Sequence, residues 1–129
     1  MKIGSVLAAA LLLLSCNDDA SGPGTGSGEI VFPESDVSYG EHVQPLFDRR
    51  CASSGCHDSG TRAGDLSLES YTDATARPGI IVPGKPDVSV LVQTIEGTLP
   101  LMPPLNSPPL TDNQITGIRQ WILEGAENN

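Results

Sequence analysis

Two cysteines followed directly by a histidine constrain this chain more than any other feature. Cys51 and Cys56 are separated by four residues, and His57 follows the second cysteine without a gap. A cysteine pair that ends in histidine is the attachment pattern of a c-type haem, although the usual spacing has two intervening residues. The two thiols would add across the haem vinyl groups, and the histidine would be the proximal iron ligand. The pattern therefore predicts one covalent haem c.

The wider spacing leaves two alternatives open. Ser53, Ser54 and Gly55 (residues 53–55) are small enough to loop out, so both sulfur atoms could still reach the haem. A Cys51–Cys56 disulfide without haem is the first alternative. A zinc site is the second, but a structural zinc site needs four ligands. Cys51, Cys56, His57 and His42 could only just supply them.

The N-terminus has the pattern of an export signal. Lys2 precedes an apolar run at residues 3–14, which is too short for a membrane-spanning helix of about 20 residues. The stretch Leu13-Leu14-Ser15-Cys16 resembles a bacterial lipobox, so residues 1–15 are predicted to be a lipoprotein signal peptide and Cys16 the lipidated residue. An ordinary signal with an incidental cysteine is the alternative. The expected location is the bacterial cell envelope, on the periplasmic side or at the outer membrane or cell surface.

The segment after Cys16 differs in composition from the rest. Residues 17–29 contain no large apolar residue, so they cannot join a core. We therefore expect a lipidated cysteine and flexible linker at residues 16–31, and a folded domain at residues 32–129. The lipid anchor would hold this domain at a membrane.

Net charge restricts the partners of the exported chain. The sequence has 16 acidic and 7 basic residues, and Lys2 would leave with the signal, giving 6 − 16 = −10. Phosphate binding needs clustered Lys and Arg, so nucleic acid is not expected as a partner. A redox protein with a basic docking surface is the natural complement, and simple solubility is the alternative explanation of the charge.

Capping patterns predict the helices. Ser38 and Glu41 form a possible capping box for a helix that leads into Cys51, with a kink or a restart at Pro45. Residues 69–76 can form a short helix. Asp87 can cap another helix that Gly97 ends.

The last helix is the clearest of the predicted elements. Thr111 and Gln114 form a capping box, Ile115, Ile118, Trp121 and Ile122 make an apolar face, and Gly125 follows. Gly40 and Gly117 would allow the first and last helices to cross closely.

Two further features indicate a cofactor. Five aromatic residues are few for a domain of this size, and a bound porphyrin would supply the missing apolar bulk. Residues 99–110 contain five prolines, which excludes a regular helix. This stretch should be a stiff loop that carries Met102, with Leu99, Leu101, Leu105 and Leu110 packed on a surface.

Several segments together resemble small c-type cytochromes of the His/Met type, in particular the planctomycete-type cytochrome c domain and related haem lipoproteins. They are Val43-Gln44-Pro45-Leu46-Phe47, Leu66-Ser67-Leu68, Val82-Pro83-Gly84-Lys85-Pro86-Asp87-Val88-Ser89-Val90-Leu91, Met102-Pro103-Pro104, Leu110-Thr111-Asp112-Asn113-Gln114-Ile115 and Trp121-Ile122-Leu123-Glu124-Gly125-Ala126. The resemblance implies an all-α, small cytochrome c-like fold. In that fold the N- and C-terminal helices cross beside a covalently attached haem, and a long Pro-rich loop carries the distal ligand.

The resemblance also implies the site. Cys51 and Cys56 would hold the haem covalently, His57 would be the proximal iron ligand and Met102 the distal one. Met102 is the only methionine left once Met1 is removed with the signal. Packing of Met102 among the loop leucines is the alternative, and His42 would then be the other strong ligand. Arg77, Lys85, Tyr71 and Trp121 are candidates to contact the haem propionates, and surface charge or core packing explains each of them equally well.

The expected function is single-electron transfer by a carrier that is not itself an enzyme, although it could belong to a larger oxidoreductase. No catalytic residues are assigned. A haem-based ligand sensor or a peroxidase-like domain is one alternative, and it requires a vacant or weakly held distal position. A non-haem lipoprotein binding module, with Cys51–Cys56 as a disulfide staple, is the other.

Overall fold

A computed structural model describes residues 28–129. The predicted signal, residues 1–15, and Cys16 lie outside the described residues. The elements in chain order are a π-helical turn at Tyr39–Val43, α1 at Gln44–Arg50, a 3-10 turn at Ala63–Asp65, α2 at Tyr71–Thr75, a 3-10 turn at Pro86–Val88, α3 at Val90–Ile95 and α4 at Asp112–Leu123. This part of the chain contains no strand, which confirms the all-α prediction. Its helices all lack the length and apolar character that a membrane crossing requires.

Ser38 caps the first helical segment, as predicted, but without the second bond of a capping box. Its Oγ accepts a hydrogen bond from the Glu41 N–H at 3.2 Å. The Ser38 N–H donates to Nδ1 of His42 at 3.2 Å, so the histidine ring takes the place expected for the glutamate carboxylate. The same ring packs against Phe32, with 5.7 Å between ring centroids. The His42 side chain therefore stabilises the start of this helical segment.

The helical segment changes from π to α geometry between Val43 and Gln44, next to Pro45, and keeps helical backbone angles throughout. The π-helical turn Tyr39–Val43 ends where α1, Gln44–Arg50, begins, and Pro45 lies in the first turn of α1. Proline has no N–H, and the first turn of a helix is where a missing donor costs least. Cys51 caps the C-terminal end of α1, and its N–H donates to the Phe47 carbonyl at 2.8 Å.

The core joins the first helical segment to α2 and α4. The Tyr39 ring lies 5.1 Å from Tyr71 and 5.5 Å from Trp121, measured between ring centroids. Both partners anchor their polar atoms on the C-terminal backbone: Tyr71 Oη donates to the Ala126 carbonyl, and Trp121 Nε1 donates to the Glu127 carbonyl, each at 2.9 Å. The largest fully buried side chains include Trp121, Phe47, Leu46, Leu68, Ile118 and Ile122.

α4 begins as predicted. Thr111 Oγ1 accepts from the Gln114 N–H at 3.3 Å, and Gln114 Oε1 accepts from the Thr111 N–H at 3.1 Å, so both bonds of the capping box form. Beyond its end, Gly125 has a φ of +111°, a conformation that favours glycine.

The prediction that Asp87 caps a helix is wrong. Asp87 lies inside the 3-10 turn Pro86–Val88, and its carboxylate pairs with Arg119 of α4. α3 begins after Ser89, whose Oγ accepts from the Val82 N–H at 2.9 Å and donates to the Lys85 carbonyl at 3.0 Å. Pro86 favours a 3-10 turn that is separate from α3, because the fixed φ of proline is compatible with the first position of such a turn.

Gly40 and Gly117 do not serve a close crossing of two helices, which corrects the sequence expectation. A Cβ atom at Gly117 would overlap the Phe32 side chain, so this glycine accommodates the buried Phe32 ring against α4. Gly40 lies against the C-terminal backbone, and its N–H donates to the Asn129 carbonyl at 2.9 Å. Each glycine therefore leaves room for close packing of a segment that is not the opposing helix.

Residues 98–110, which we call the proline-rich loop, contain no helix or strand. The loop is anchored on α3, because the N–H of Met102 donates to the Thr94 carbonyl at 3.1 Å. Leu110 packs against the core as expected, but Leu105 is 91% exposed, so the prediction that Leu105 packs on a surface is wrong. Leu99 and Leu101 are 40% and 39% exposed.

Candidate functional site

A cavity of about 280 Å³ lies at the C-terminal end of α1. Four side chains chosen from the sequence line it: Cys51, Cys56, His57 and Met102. The first three come from consecutive turns of chain after α1. The fourth comes from the proline-rich loop, together with Pro103, Pro104, Ser107 and Pro108. The fold therefore places Cys51 and Met102, which are 51 positions apart in the sequence, at the same cavity.

The segment between the cysteines is closed by backbone hydrogen bonds. The His57 N–H donates to the Cys51 carbonyl at 3.1 Å, and the Cys56 N–H donates to the Ser53 carbonyl at 2.9 Å. Gly55 has a φ of +86°, where a side chain would be strained. Residues 53–55 are exposed, and Ser53 and Gly55 line the cavity together with both cysteines.

Both thiols are free in this structure. Burial raises the pKa of Cys51 to about 12, the nearby Arg50 opposes that rise, and Cys56 adds to it. Cys51 is accordingly a neutral thiol at physiological pH. The disulfide that sequence reasoning left as an alternative is not formed here.

His57 is oriented by two contacts with the segment that follows it. Its Nδ1 lies 3.3 Å from the Leu66 carbonyl oxygen. A carbonyl can only accept, so this bond requires a proton on Nδ1, and in the neutral ring the lone pair is then on Nε2. Its own carbonyl accepts from the Leu68 N–H at 2.8 Å. A histidine fixed through Nδ1 to a backbone carbonyl is the usual arrangement of a metal-binding imidazole.

Met102 is held by its backbone and left accessible at its side chain. The hydrogen bond to Thr94 fixes the main chain, while the side chain is 39% exposed and lines the cavity. Packing among the loop leucines was the alternative explanation. With Leu105 almost wholly in solvent and Leu101 more than a third exposed, those leucines provide no enclosed apolar site for a thioether.

The alternative ligands do not converge on the cavity. His42 does not line it and is bonded to the Ser38 amide instead. Within residues 28–129, no group of three or more His, Cys, Asp or Glu side chains is arranged to hold a metal ion. The zinc alternative, which needs His42 beside the two cysteines, therefore lacks its fourth ligand in the described part of the chain.

Two arginines that were not selected from the sequence also line the cavity. Arg49 and Arg50 form the last turn of α1, immediately before Cys51. Arg50 Nη2 donates to the Pro109 carbonyl at 2.6 Å, and Arg49 Nη1 donates to the Gly28 carbonyl at 2.9 Å. The one sequence feature that could have identified them as residues of the site is their position directly before Cys51. They also line a second cavity, of about 430 Å³, which holds none of the four predicted haem-binding side chains.

The structure does not place the four residues proposed from the sequence as propionate contacts in the wall of the cavity. None of Arg77, Lys85, Tyr71 and Trp121 lines the cavity. Tyr71 and Trp121 bond the C-terminal backbone, Arg77 bonds the Gly64 carbonyl, and Lys85 is exposed.

The donor set fits a covalent haem. Two thiols, an imidazole with Nε2 free and a thioether surround one cavity, which is the combination that attaches and ligates haem c. Arg50 adds an independent observation, because its Nε is buried without a hydrogen-bond partner among residues 28–129. Such an orphaned donor costs stability unless an acceptor reaches it, and a haem carries two carboxylates.

The comparison with known families agrees with this geometry. Residues 54–106 match the model of a family described as Planctomycete cytochrome C. The matched residues include Cys56, His57 and Met102 and begin after Cys51, so the match does not extend to the first cysteine. No curated protein and no solved structure matches the chain.

Proposed function

We propose that the planctomycete-type cytochrome c domain of this chain holds one covalent haem and carries single electrons. The observation that carries the proposal is the convergence of Cys51, Cys56, His57 and Met102 on one cavity. When bound, the haem would supply an iron that cycles between the ferrous and ferric states. In this proposal the cysteines attach the haem, His57 Nε2 is the proximal ligand and Met102 the distal one.

The protein's contribution is orientation and enclosure. The Leu66 carbonyl holds the His57 ring in the tautomer that exposes Nε2. Prolines on both sides of Met102 restrict the backbone of the ligand loop, which lowers the entropy lost when the thioether is bound. If His57 and Met102 both bound the iron, a substrate would find no open position on the metal. This supports a carrier over a sensor or a peroxidase.

The lipid tether and the envelope location also belong to this proposal. They rest on the sequence pattern that ends at Cys16. Cys16→Ser should move the protein from the membrane fraction to the soluble fraction of an expressing bacterium. Cys56→Ser is the matched control, because it replaces a cysteine in the same way but should leave the protein membrane-bound. Release of both variants, or of neither, would contradict lipidation at Cys16.

The direct test is a pyridine haemochrome assay on the full chain, expressed with the cytochrome c maturation machinery. We expect one haem per chain, retained after acid–acetone extraction, with the mass of a single haem added to the polypeptide. His57→Ala should abolish this incorporation, and His42→Ala should retain it, because His42 does not line the cavity. A protein that accumulates folded and without haem would overturn the proposal.

A carbon monoxide titration separates the carrier from the sensor. The reduced parent protein should not bind carbon monoxide rapidly if Met102 occupies the distal position. Fast binding by the parent would favour a ligand sensor or a peroxidase-like domain.

A further inference from the structure

Backbone bonds to α3 hold the first part of the proline-rich loop. The N–H groups of Thr98 and Leu99 donate to the Gln93 carbonyl at 2.9 and 3.1 Å, and the Met102 N–H donates to the Thr94 carbonyl at 3.1 Å. These bonds join main-chain atoms and need no particular side chain. Up to Met102, the position of the loop is therefore set by the end of α3.

The second part of the loop depends on one side chain. Among residues 28–129, residues 103–110 make a single hydrogen bond to another segment, from Arg50 Nη2 to the Pro109 carbonyl at 2.6 Å. Four of these eight residues are prolines, which have no N–H to donate. Leu110 adds apolar contact with the core. Arg50 is thus the side chain that ties this part of the loop to α1.

Met102 lies between the two attachments. It is the last residue of the loop that bonds to α3, it comes seven positions before Pro109, and its side chain lines the cavity. Three further prolines lie between Met102 and Pro109, and proline fixes the φ angle of each. Because this connection is stiff, movement at Pro109 is passed along the chain towards Met102.

The Arg50 side chain also faces the cavity. It directly precedes Cys51, it lines the cavity, and its Nε is buried without a hydrogen-bond partner among residues 28–129. A guanidinium group is planar, so the bond from Nη2 to Pro109 restricts the direction of Nε. An acceptor inside the cavity would therefore hold the whole group in place and strengthen its bond to the loop.

We propose that Arg50 is a positioning residue that keeps the proline-rich loop, and with it the Met102 thioether, against the cavity. This inference rests on the proposed function, in which Met102 is the distal ligand. Arg50 itself would not bind the iron. It would lower the fraction of molecules in which the loop has moved and the distal position is open.

Two small ligands measure that fraction. Carbon monoxide binds the reduced holoprotein, and imidazole the ferric holoprotein, only where the thioether has left the iron, so their apparent binding scales with the open population. We expect Arg50→Gln to bind carbon monoxide about tenfold faster than the parent and imidazole about tenfold more tightly. This is the size of effect expected from the loss of one hydrogen bond with a charged donor.

Arg77→Gln is the matched control. Arg77 also donates from Nη1 to a backbone carbonyl, that of Gly64, but it lines neither cavity. The variant removes the same charge and the same kind of bond, so both measurements should stay within about twofold of the parent. Equal effects of Arg50→Gln and Arg77→Gln would show that the link to Pro109 is not what closes the distal position, and would overturn the inference.

A double-mutant cycle with Met102→Ala tests whether Arg50 acts through Met102. In the Met102→Ala background the distal position is already open, so Arg50→Gln should change the rate of carbon monoxide binding by less than about twofold. An acceleration as large as in the parent background would also overturn the inference, because Arg50 would then act on the site by another route.

Should Arg50→Gln fail to accumulate as holoprotein, Arg50→Lys takes its place. Lysine keeps the charge beside Cys51 but lacks the planar fork that donates in two directions, so this variant should also bind carbon monoxide faster than the parent. Rates equal to that of the parent in each Arg50 variant that forms holoprotein would overturn the inference. Failure of the proposed function would look different, because the parent itself would then lack a haemochrome signal or bind carbon monoxide rapidly.

Discussion

Gly117→Ala is expected to be the most destabilising single-methyl change in the last helix. A Cβ atom at this position would overlap Cβ, Cγ and Cδ1 of Phe32. The Phe32 ring cannot simply slide away, because its backbone is fixed on both sides by Asn113. The Phe32 N–H donates to Asn113 Oδ1 at 2.8 Å, and its carbonyl accepts from Asn113 Nδ2 at 3.0 Å. The ring must therefore leave its buried position or push α4 aside.

The magnitude follows from two opposing terms. Phe32 is 4% exposed, and loss of a buried phenylalanine side chain costs about 3–5 kcal/mol. Replacing glycine by alanine inside a helix contributes about 1 kcal/mol in the opposite direction. The expected net loss in the free energy of unfolding is about 2–4 kcal/mol for Gly117→Ala.

A double-mutant cycle tests this account by urea-induced unfolding followed by circular dichroism. In a Phe32→Ala background the overlap is absent, so Gly117→Ala should change sign and stabilise the protein by up to about 1 kcal/mol. Gly117→Ala that destabilises equally in both backgrounds would refute the reasoning. It would show that α4 needs the glycine for some reason other than the Phe32 ring.

Three further outcomes follow from the site and the helix caps. Met102→Ala should lower the reduction potential and open the reduced iron to carbon monoxide, because thioether ligation raises the potential; an unchanged ferric spectrum would contradict distal ligation by Met102. Cys56→Ala should leave one thioether and a holoprotein that unfolds at lower urea, and unchanged attachment would show that Cys56 is not bonded to the haem. Hydrogen bonds from Gln120 and from the N–H groups of residues 36–37 lower the pKa of Glu124, so this stabilisation should be present above about pH 4.3 and lost as pH falls through the lower folded pKa. Glu124→Gln should lower the urea midpoint at neutral pH. The midpoint of this variant should also decrease less than that of the parent as the pH is lowered. An equal decrease in the variant and the parent would show that the Glu124 carboxylate does not contribute to the pH dependence.

Local signals predicted the parts of the fold that depend on neighbouring residues. The capping box at Thr111 follows from a side chain and a backbone group three positions apart, and Pro45 lies in the first turn of α1, where proline is tolerated. The Ser38 cap was predicted from the same kind of pattern. Its second bond went to His42 in place of Glu41, because an imidazole one residue further along the turn also reaches the Ser38 amide.

The errors in the fold arise where distant segments compete for the same residue. Asp87 has a side chain suited to capping, but Arg119 of α4 draws its carboxylate into an ion pair. Gly117 was assigned to a helix crossing because the sequence gives no sign that Phe32 would pack on that face of α4. Neither partner can be identified from local pattern, since each lies more than 30 positions away along the chain.

The site divides in the same way. Cys51, Cys56 and His57 form a contiguous motif, so their placement on one cavity follows once the loop between them closes. Met102 was selected because it is the single methionine outside the predicted signal and because it lies in the proline-rich segment that resembles the cytochrome family. The structure adds what composition could not: the loop that carries Met102 is fixed to α3 at Thr94 and returns to the end of α1 at Pro109.

Arg49 and Arg50 show why one part of the site escaped sequence reasoning. Two basic residues in the last turn of a helix already have a local explanation, because they interact favourably with the helix dipole. Nothing in the sequence distinguishes that role from contact with a cofactor. The distinction comes from tertiary structure, where Arg50 reaches the proline-rich loop while its Nε stays buried without a partner among residues 28–129. A surface arginine held only by the helix dipole would keep that donor in water, so the buried Nε of Arg50 is the observation that supports a contact between the end of α1 and the proposed haem.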